Sequence, residues 1–460
     1  MTIIYCSEER EDETMGKMVA AGKMATARKV SFGVDMRGAH FAFGPHYTPL
    51  NHGSYGTIPV SVRRAHEDLR AEVEAAPDPF IALEFHDRLM EHRALAAEVL
   101  HCPDVDEIVF VANATTGSDT VLKNLEWQAG DTILCYELIY DSLGRGLSWI
   151  EETQGVSVHA VRIAWPVSDN ELVRAMVDAA QEINAEPGRR VRLAIVDTIV
   201  SMPGVRVPFE RLVPALQAEG ALVLVDGAHG IGHIDIDLSS LRPDFFVTNL
   251  HKWFFVPRGC AAFYVPKKHQ HLIRTTLPTS HKFRPRKKLG ELADDEGNAF
   301  VEQFDFTGTD DTTAWLCVRA AFDFRTKACG GEAAIQAYCH NMAQRSAVVA
   351  ADILGTDIMD CAGSCLRDCS FANVRLPLEL GTNSPGKVDP EYADKVSDWF
   401  KVTGIRESGM YFQTVFYRDV WWWRISGMIY VGVEDFRRGA EVLKGLCERV
   451  RMGEHVEGMF

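Results

Sequence analysis

Two hydrophobic rhythms alternate along the middle of the chain. Short apolar, β-branched runs stand at Ile108–Val111, Thr132–Tyr136, Val156–Ile163, Val191–Val196, Ala221–Val225, Phe245–Thr248 and Ala261–Val265. Between several of them apolar residues recur at helical spacing, as in Asn170–Ile183 and Phe209–Gln217. Brief continuous apolar runs predict buried strands, and the longer 3.6-residue period predicts the helices that cover them. Strand and helix in alternation predict an α/β fold, with a mostly parallel sheet and helices on both faces. In such a sheet ligands bind beyond the carboxyl ends of the strands, and that is where the unusual residues of this sequence fall.

After Thr309 the pattern changes. Helices are predicted over Thr313–Arg325, Glu332–Leu354 and Val433–Arg451, with short strands at Phe371–Leu376 and Trp423–Tyr430. This reads as a smaller α+β domain over 309–460, behind a large domain over 39–308. A polar stretch over 274–298, basic and then acidic, with Pro278 and Pro285, reads as a long loop or lid. Its basic run, Arg284 to Lys288, is expected to be a solvated loop rather than a docking patch. Residues 1–38 carry a run of charges (Glu8 to Glu13) and no apolar core of a secretory signal, so they read as a mobile extension of a cytoplasmic protein.

A chain of 460 residues suits two packed domains. Its formal net charge of −16 repels phosphate backbones and argues against nucleic acid as a partner. No apolar run approaches the length of a membrane-spanning helix. The 11 cysteines are odd in number and scattered, which argues for a reducing compartment. Cys361, Cys365 and Cys369 have metal-compatible spacing but no fourth ligand, so no metal is expected.

The chemistry concentrates at strand ends. Ala221 to Val225 runs into Asp226-Gly-Ala-His229, and Phe245 to Thr248 runs into Asn249-Leu-His251-Lys252. A carboxylate at one strand end and a lysine at a nearby one suit a pyridine cofactor. The acid keeps the ring nitrogen protonated, and the amine forms a Schiff base and moves the Cα proton. Singly, the Asp reads as a helix cap and the Lys as a solvated residue. The segment Asn113-Ala114-Thr115-Thr116-Gly117 leaves a strand and enters a helix predicted over Ser118–Trp127, which suits a phosphate at a helix N-terminus or a plain N-cap. Asn51-His-Gly53-Ser54-Tyr-Gly56 reads as a tight turn or a substrate-pocket lining. Arg424, inside Trp421-Trp-Trp-Arg-Ile-Ser-Gly427, needs an anionic partner, either a substrate carboxylate or an internal acid.

With Gly308-Thr309, these motifs resemble those of fold-type I pyridoxal 5′-phosphate (PLP) enzymes of the class V aminotransferase and cysteine desulfurase superfamily, over roughly residues 40–455. The resemblance implies a large domain with a seven-stranded sheet and PLP bound to Lys252. Asp226 would pair with the pyridine nitrogen, and His229 would meet the ring hydroxyl. Ala114, Thr115, Thr116, Asn249 and His251 would lie at the phosphate, with Tyr140 over the ring. Arg424, with Asn51, Gly53 and Ser54, would hold the substrate. Thr309 would reach the phosphate of a neighbouring subunit, so a homodimer acting on a small amino acid is expected.

The segments Leu50–Pro59, Val109–Thr115, Ser201–Arg206 and Leu272–His281 are similar to a fungal branch of this family. That branch includes the hercynylcysteine sulfoxide C–S lyase of ergothioneine biosynthesis and the PLP enzyme of loline-type alkaloid pathways, a Mannich-type cyclase. No cysteine stands in Gly404–Tyr417, read as the loop before the carboxylate arginine, so transfer of sulfur to an enzyme persulfide is not expected. Where the lyase pattern has a cysteine after the stacking tyrosine, this chain reads Tyr140-Asp-Ser-Leu143-Gly. Leu143 cannot protonate a leaving sulfur, which favours the cyclase; Tyr140 or Ser142 could serve a lyase instead. Nothing in the chain selects for transamination. A non-catalytic paralogue would commonly have lost the lysine or the aspartate, and both stand.

Overall fold

The computed structural model describes residues 30–283, 285 and 298–457. The seven runs read as strands form one sheet: β1 (Ile108–Val111), β2 (Asp131–Tyr136), β3 (Ser157–Val161), β4 (Arg190–Asp197), β7 (Leu222–Asp226), β8 (Phe245–Asn249) and β9 (Ala261–Tyr264). A two-stranded ribbon, β5 (Ile199–Val200) and β6 (Val205–Arg206), follows β4. The order in the large sheet is β1-β9-β8-β7-β4-β2-β3. β9 runs antiparallel to both of its neighbours, and every other pair is parallel. The expected α/β sheet is therefore present, and the carboxyl ends of β1, β2, β4, β7 and β8 meet on one edge.

Helices shield both faces. Asp169–Ala185 and Phe209–Ala218 cover one side, and Ala114–Asn124 and Asp141–Gln154 lie on the other, matching the two clusters into which the buried apolar residues divide. Sheet interiors such as Leu193, Ile195, Val223 and Val247 are fully buried. Burial on both faces is why these strands read as continuous apolar runs rather than alternating ones.

The C-terminal part builds a second, antiparallel sheet, β10 (Phe371–Arg375), β12 (Val420–Ser426) and β11 (Thr414–Tyr417), in that spatial order. The helices Glu332–Leu354 and Val433–Arg451 pack on it and on each other. Three expectations shift here. The strand read at Trp423–Tyr430 begins earlier and stops at Ser426, because Gly427 crosses the helix at Cys339, where an added Cβ would lie 2.2 Å from the carbonyl oxygen. The helix read over Thr313–Arg325 is a 3₁₀ turn, a short α-helix and a wider π turn in succession. Gly404–Tyr417 is not a loop: it contains the end of the helix Ala393–Ser408 and the whole of β11. The β11–β12 hairpin turns on Arg418 and Asp419, with φ of 51° and 63°, so it lacks the glycine or asparagine that marks such turns in sequence.

Part of the expected N-terminal extension is held in place. Val34–His40 is helical, with Met36 buried and Arg37 paired to Asp435 at 3.1 Å. Residues 1–29, and with them the acidic run, lie outside the described residues, as do Arg284, 286–297 and so most of the basic and acidic loop. No helix among the described residues is long and apolar enough to cross a membrane.

Candidate active site

β8 ends at Asn249 and turns at once into a single helical turn, Leu250–Trp253. Lys252 on that turn lines a cavity of about 900 Å³ at the carboxyl edge of the sheet, together with Asp197, Asp226 and His229. The turn is pinned from behind. His52 Nε2 donates to the Lys252 carbonyl at 2.7 Å, and the buried Arg325 donates to the Trp253 carbonyl at 2.6 Å. Gly56 has φ of 64° and passes so close that a Cβ there would lie 2.1 Å from the His251 oxygen, so only glycine fits.

The protonation of this centre follows from its hydrogen bonds. Trp253 Nε1 lies 3.1 Å from His229 Nδ1, and Lys252 Nζ lies 3.1 Å from His229 Nε2. An indole N–H only donates, so Nδ1 accepts and the neutral ring carries its proton on Nε2. Burial holds His229 well below its usual 6.5, so the ring is neutral. Nε2–H then donates to Lys252, and the lysine must offer a lone pair. Burial, reinforced by Arg424 and opposed by Asp226 and Asp197, lowers Lys252 to about 8. Its neutral amine is thus within reach near neutral pH, as a nucleophile or a base requires.

Asp226 and Asp197 end neighbouring strands β7 and β4 and are both buried. Asp226 Oδ1 accepts the Ala228 amide at 2.9 Å. Burial raises Asp226, with that amide and Lys252 opposing the rise. Tyr136, at the end of β2, donates its hydroxyl to Asp197 Oδ2 at 2.5 Å.

Beside them the helix Ala114–Asn124 points its N-terminus at the cavity. Gly117 lets it lie against the sheet, since a Cβ there would meet Val247 at 2.6 Å. The helix starts at Ala114, four residues before the expected Ser118, because Asn113 caps it by accepting the Thr116 amide at 2.9 Å. The Ala114 amide is taken by Asn249 Oδ1 at 2.9 Å. Ala114 and Thr116 thus spend their amides on internal acceptors. The Asn249 amide nitrogen, Thr115 and Ser118 remain on the cavity wall. Ser118 Oγ is buried with no hydrogen-bond partner among the described residues. His251 Nδ1 lies 3.1 Å from the Cys260 carbonyl, so it donates there and only Nε2 is left for a ligand. Burial lowers His251 to about 4, and a phosphate dianion beside it would favour its protonated, donating form.

An orphaned buried hydroxyl near a helix N-terminus, a carboxylate at the end of β7 and a lysine of lowered basicity after β8, between them, fit the donor set a pyridoxal phosphate needs. Lys252, Asp226, His229, Asn249, Thr115 and Ser118 would hold it.

The opposite wall comes from elsewhere in the chain. Arg424 on β12 is fully buried, its guanidinium over the Phe371 ring at 4.3 Å. It donates to the Ser201 carbonyl at 2.7 Å, Asn51 Oδ1 at 2.8 Å and Ser54 Oγ at 2.9 Å. Among the described residues no carboxylate pairs with it, and its Nε has no partner. Burial depresses it to about 9, with Tyr411 and Tyr55 opposing. A buried cation without an anion is poised for one. Ser54 and Ser201 line the cavity, joined by Tyr55, Tyr411, Gln413 and Lys401.

Several expected site residues stand apart. Gly53 is off the cavity wall; it packs on Phe371 and gives its amide to Ser426 Oγ at 3.0 Å. Asn51 is buried behind the wall and acts through Arg424. Thr309 lines a different cavity, of about 470 Å³, with Arg70, Phe80 and Asp311. Tyr140 is on the wall, half exposed, and Leu143 beside it is buried on the wall, whereas Ser142 is not part of it. No described cysteine lines this cavity. Cys361, Cys365 and Cys369 sit in turns and direct their sulfurs at different backbone carbonyls, and no described group of His, Cys, Asp or Glu is arranged to hold a metal ion. Sequence reasoning missed Asp197, Tyr136, His52, Ser118 and Tyr411. Asp197 carried the same signal as Asp226, an acid closing an apolar run; the others had none.

A family model described as aminotransferase class-V matches residues 66–369. The L-cysteine desulfhydrase-like protein lolT1 of Epichloe uncinata is 35% identical over 92% of this chain and 98% of its own length. The hercynylcysteine sulfoxide lyase of Schizosaccharomyces pombe is 29% identical over 90% of this chain and 98% of its own. Among solved structures, the cystine C–S lyase C-DES in complex with its product cysteine persulfide aligns with a TM-score of 0.69 at 18% identity, covering 87% of this chain and 97% of that one. That likeness establishes the fold, the fold-type I arrangement anticipated above.

Proposed function

The chain belongs to the class-V aminotransferase family, and on that premise we propose that it uses Lys252 to move the Cα proton of an amino-acid substrate. The observation that carries this is the hydrogen bond from neutral His229 to Lys252, which requires a free lone pair on the amine. PLP is the cofactor; when bound it supplies the electron sink for the pair left at Cα. Asp226 would pair with the ring nitrogen, and Thr115, Ser118 and Asn249 would hold the phosphate. Arg424 would receive the substrate carboxylate, which would supply the missing counter-charge.

We further propose that the reaction continues as carbon–carbon bond formation from Cα to an electrophilic carbon of the same substrate, a Mannich-type cyclisation. Leu143 supports this, since it puts an aliphatic side chain at 2% exposure on the cavity wall. Leu143 itself offers no proton at that point, which leaves a departing sulfur unassisted there. A C–S lyase is the second reading. Tyr140 and Tyr411 on the same wall favour it, because either phenol can protonate a leaving sulfur. The names of the two relatives also point that way. In either case the active unit is read as a homodimer, with Thr309, remote from Lys252 in its own chain, serving the partner's site.

The deciding experiment is product analysis by mass spectrometry on the protein supplied with PLP. Cyclised product isomeric with the starting amino acid supports the cyclase. Pyruvate with a released thiol or sulfenate overturns it for the lyase.

A further inference from the structure

β4 and β7 lie side by side with Asp197 opposite Asp226, each the last residue of its strand. Paired residues of neighbouring parallel strands point to the same face, about 4.8 Å apart. Both aspartates are 5% exposed and both line the cavity. The groups facing Asp197 come from every adjoining element. Tyr136, on β2, donates to Oδ2 and accepts the Asp197 amide at 2.6 Å; Cys135 precedes it, Asp226 lies on β7, and Lys252 follows β8. No arginine pairs with either acid among the described residues. The lysine that could balance a second negative charge lies 3.1 Å from His229 Nε2, and burial lowers it to about 8, so it supplies at most one positive charge. Two buried carboxylates at this separation, with at most one cation, cannot both ionise.

We propose that Asp197 is a positioning residue for Asp226: the two carboxyl groups hold one proton between them, chiefly on Asp197, so the site shows a single negative charge to the pyridine nitrogen of bound cofactor. Only that last clause rests on the cofactor reading above. The electrostatics agree in direction. Burial first, and then the charge of Asp226, raise Asp197 well above the carboxylate range, against Tyr136 and Lys252; burial raises Asp226 less. Tyr136 is the clamp, since its one hydroxyl fixes both the backbone and the carboxyl of Asp197.

The test is infrared titration of the full-length protein freed of cofactor and isotope-labelled at the aspartate carboxyl carbon. An aspartic-acid C=O band is expected to persist well above the ordinary titration range of Asp. It is lost in Asp197→Asn and shifts in frequency in Tyr136→Phe, which still reports if the first variant fails to fold. Absence of the band from wild type, or a band that neither variant alters, overturns the proposal. In the PLP-loaded protein, visible absorbance of wild type shows an alkaline step as the shared proton leaves, and Asp197→Asn loses that step. If the infrared results hold but no visible band forms, the cofactor reading falls and the pair stands. A visible band without the aspartic-acid band overturns the pair and leaves the cofactor reading intact.

Discussion

Asp226 lines the cavity and Arg424 lies behind its opposite wall; both are buried, and they are held in place by different means. Asp226 takes its hydrogen bond from Ala228, two residues along its own strand end. Lys252 and Asn249 likewise sit where β8 stops, and Asp197 where β4 stops. Arg424 instead depends on Ser201, Asn51 and Ser54, the last two more than 300 residues away. The large-sheet wall therefore carries the groups that any chemistry at Cα needs, fixed by rigid strand ends. The opposite wall, assembled from Ser54, Tyr55, Ser201, Met202, Lys401, Tyr411 and Gln413 with Arg424 behind it, is the part we propose decides which substrate those groups meet. A change in the first wall should destroy turnover, and a change in the second should redirect or weaken binding.

The sharpest way to break this division is Lys252→Ala. Loss of the amine should lower kcat by at least about 10³-fold and abolish the visible band near ~420 nm of PLP-loaded protein, measured by absorbance and turnover. Retained turnover would show that the large-sheet wall does not hold the chemistry. A smaller effect is expected across the cavity. Arg424→Lys keeps the charge but loses the planar fork, at a cost of about 1.5–3 kcal/mol for a charged hydrogen bond. That corresponds to a KM raised about 10- to 150-fold with kcat nearly kept, as steady-state kinetics on amino acids would show. A fall in kcat at unchanged KM would erase the contrast between the walls.

The smallest effect links them. Only a neutral Lys252 can capture the cofactor, so the rate at which apo-protein takes up PLP should rise with pH and level off above about 8. The sign follows from a lowered amine: protonation, which blocks capture, sets in only below that value. The Arg424 cation is one cause of the lowering, so Arg424→Met should move the midpoint upward, by less than about one unit. Stopped-flow absorbance across pH measures both curves, and coincident midpoints would mean the walls are electrostatically independent.

Much of the first wall was legible from residues alone, because an apolar run that closes in Asp226, or in Asn249 to Lys252, marks both the strand and its functional end. The same logic covered Asp197, whose run was recognised as a strand without its final acid being weighed. The second wall was only partly legible. Asn51, Gly53 and Ser54 read in sequence as a tight turn or a substrate-pocket lining, and in the folded chain only Ser54 reaches the cavity, Asn51 braces Arg424, and Gly53 yields its space to Phe371. Tyr411 gave no signal because it lies in the irregular segment between the helix ending at Ser408 and β11, where no hydrophobic period marks it.

The alternation of apolar strand and amphipathic helix, with charge placed at strand ends, was enough by itself to determine the α/β sheet, the edge where ligands bind and the lysine at its centre. Those features are local: a strand's apolar run and its last residue are written within about ten neighbours. Only the tertiary structure decided that Asp197 lies against Asp226, that His229 leaves Lys252 a lone pair, and that Arg424 is buried without an acid. Each of these depends on which distant segments burial forces into contact, and on how far that burial strips water from a charge. Neither quantity has a period or a motif in the chain.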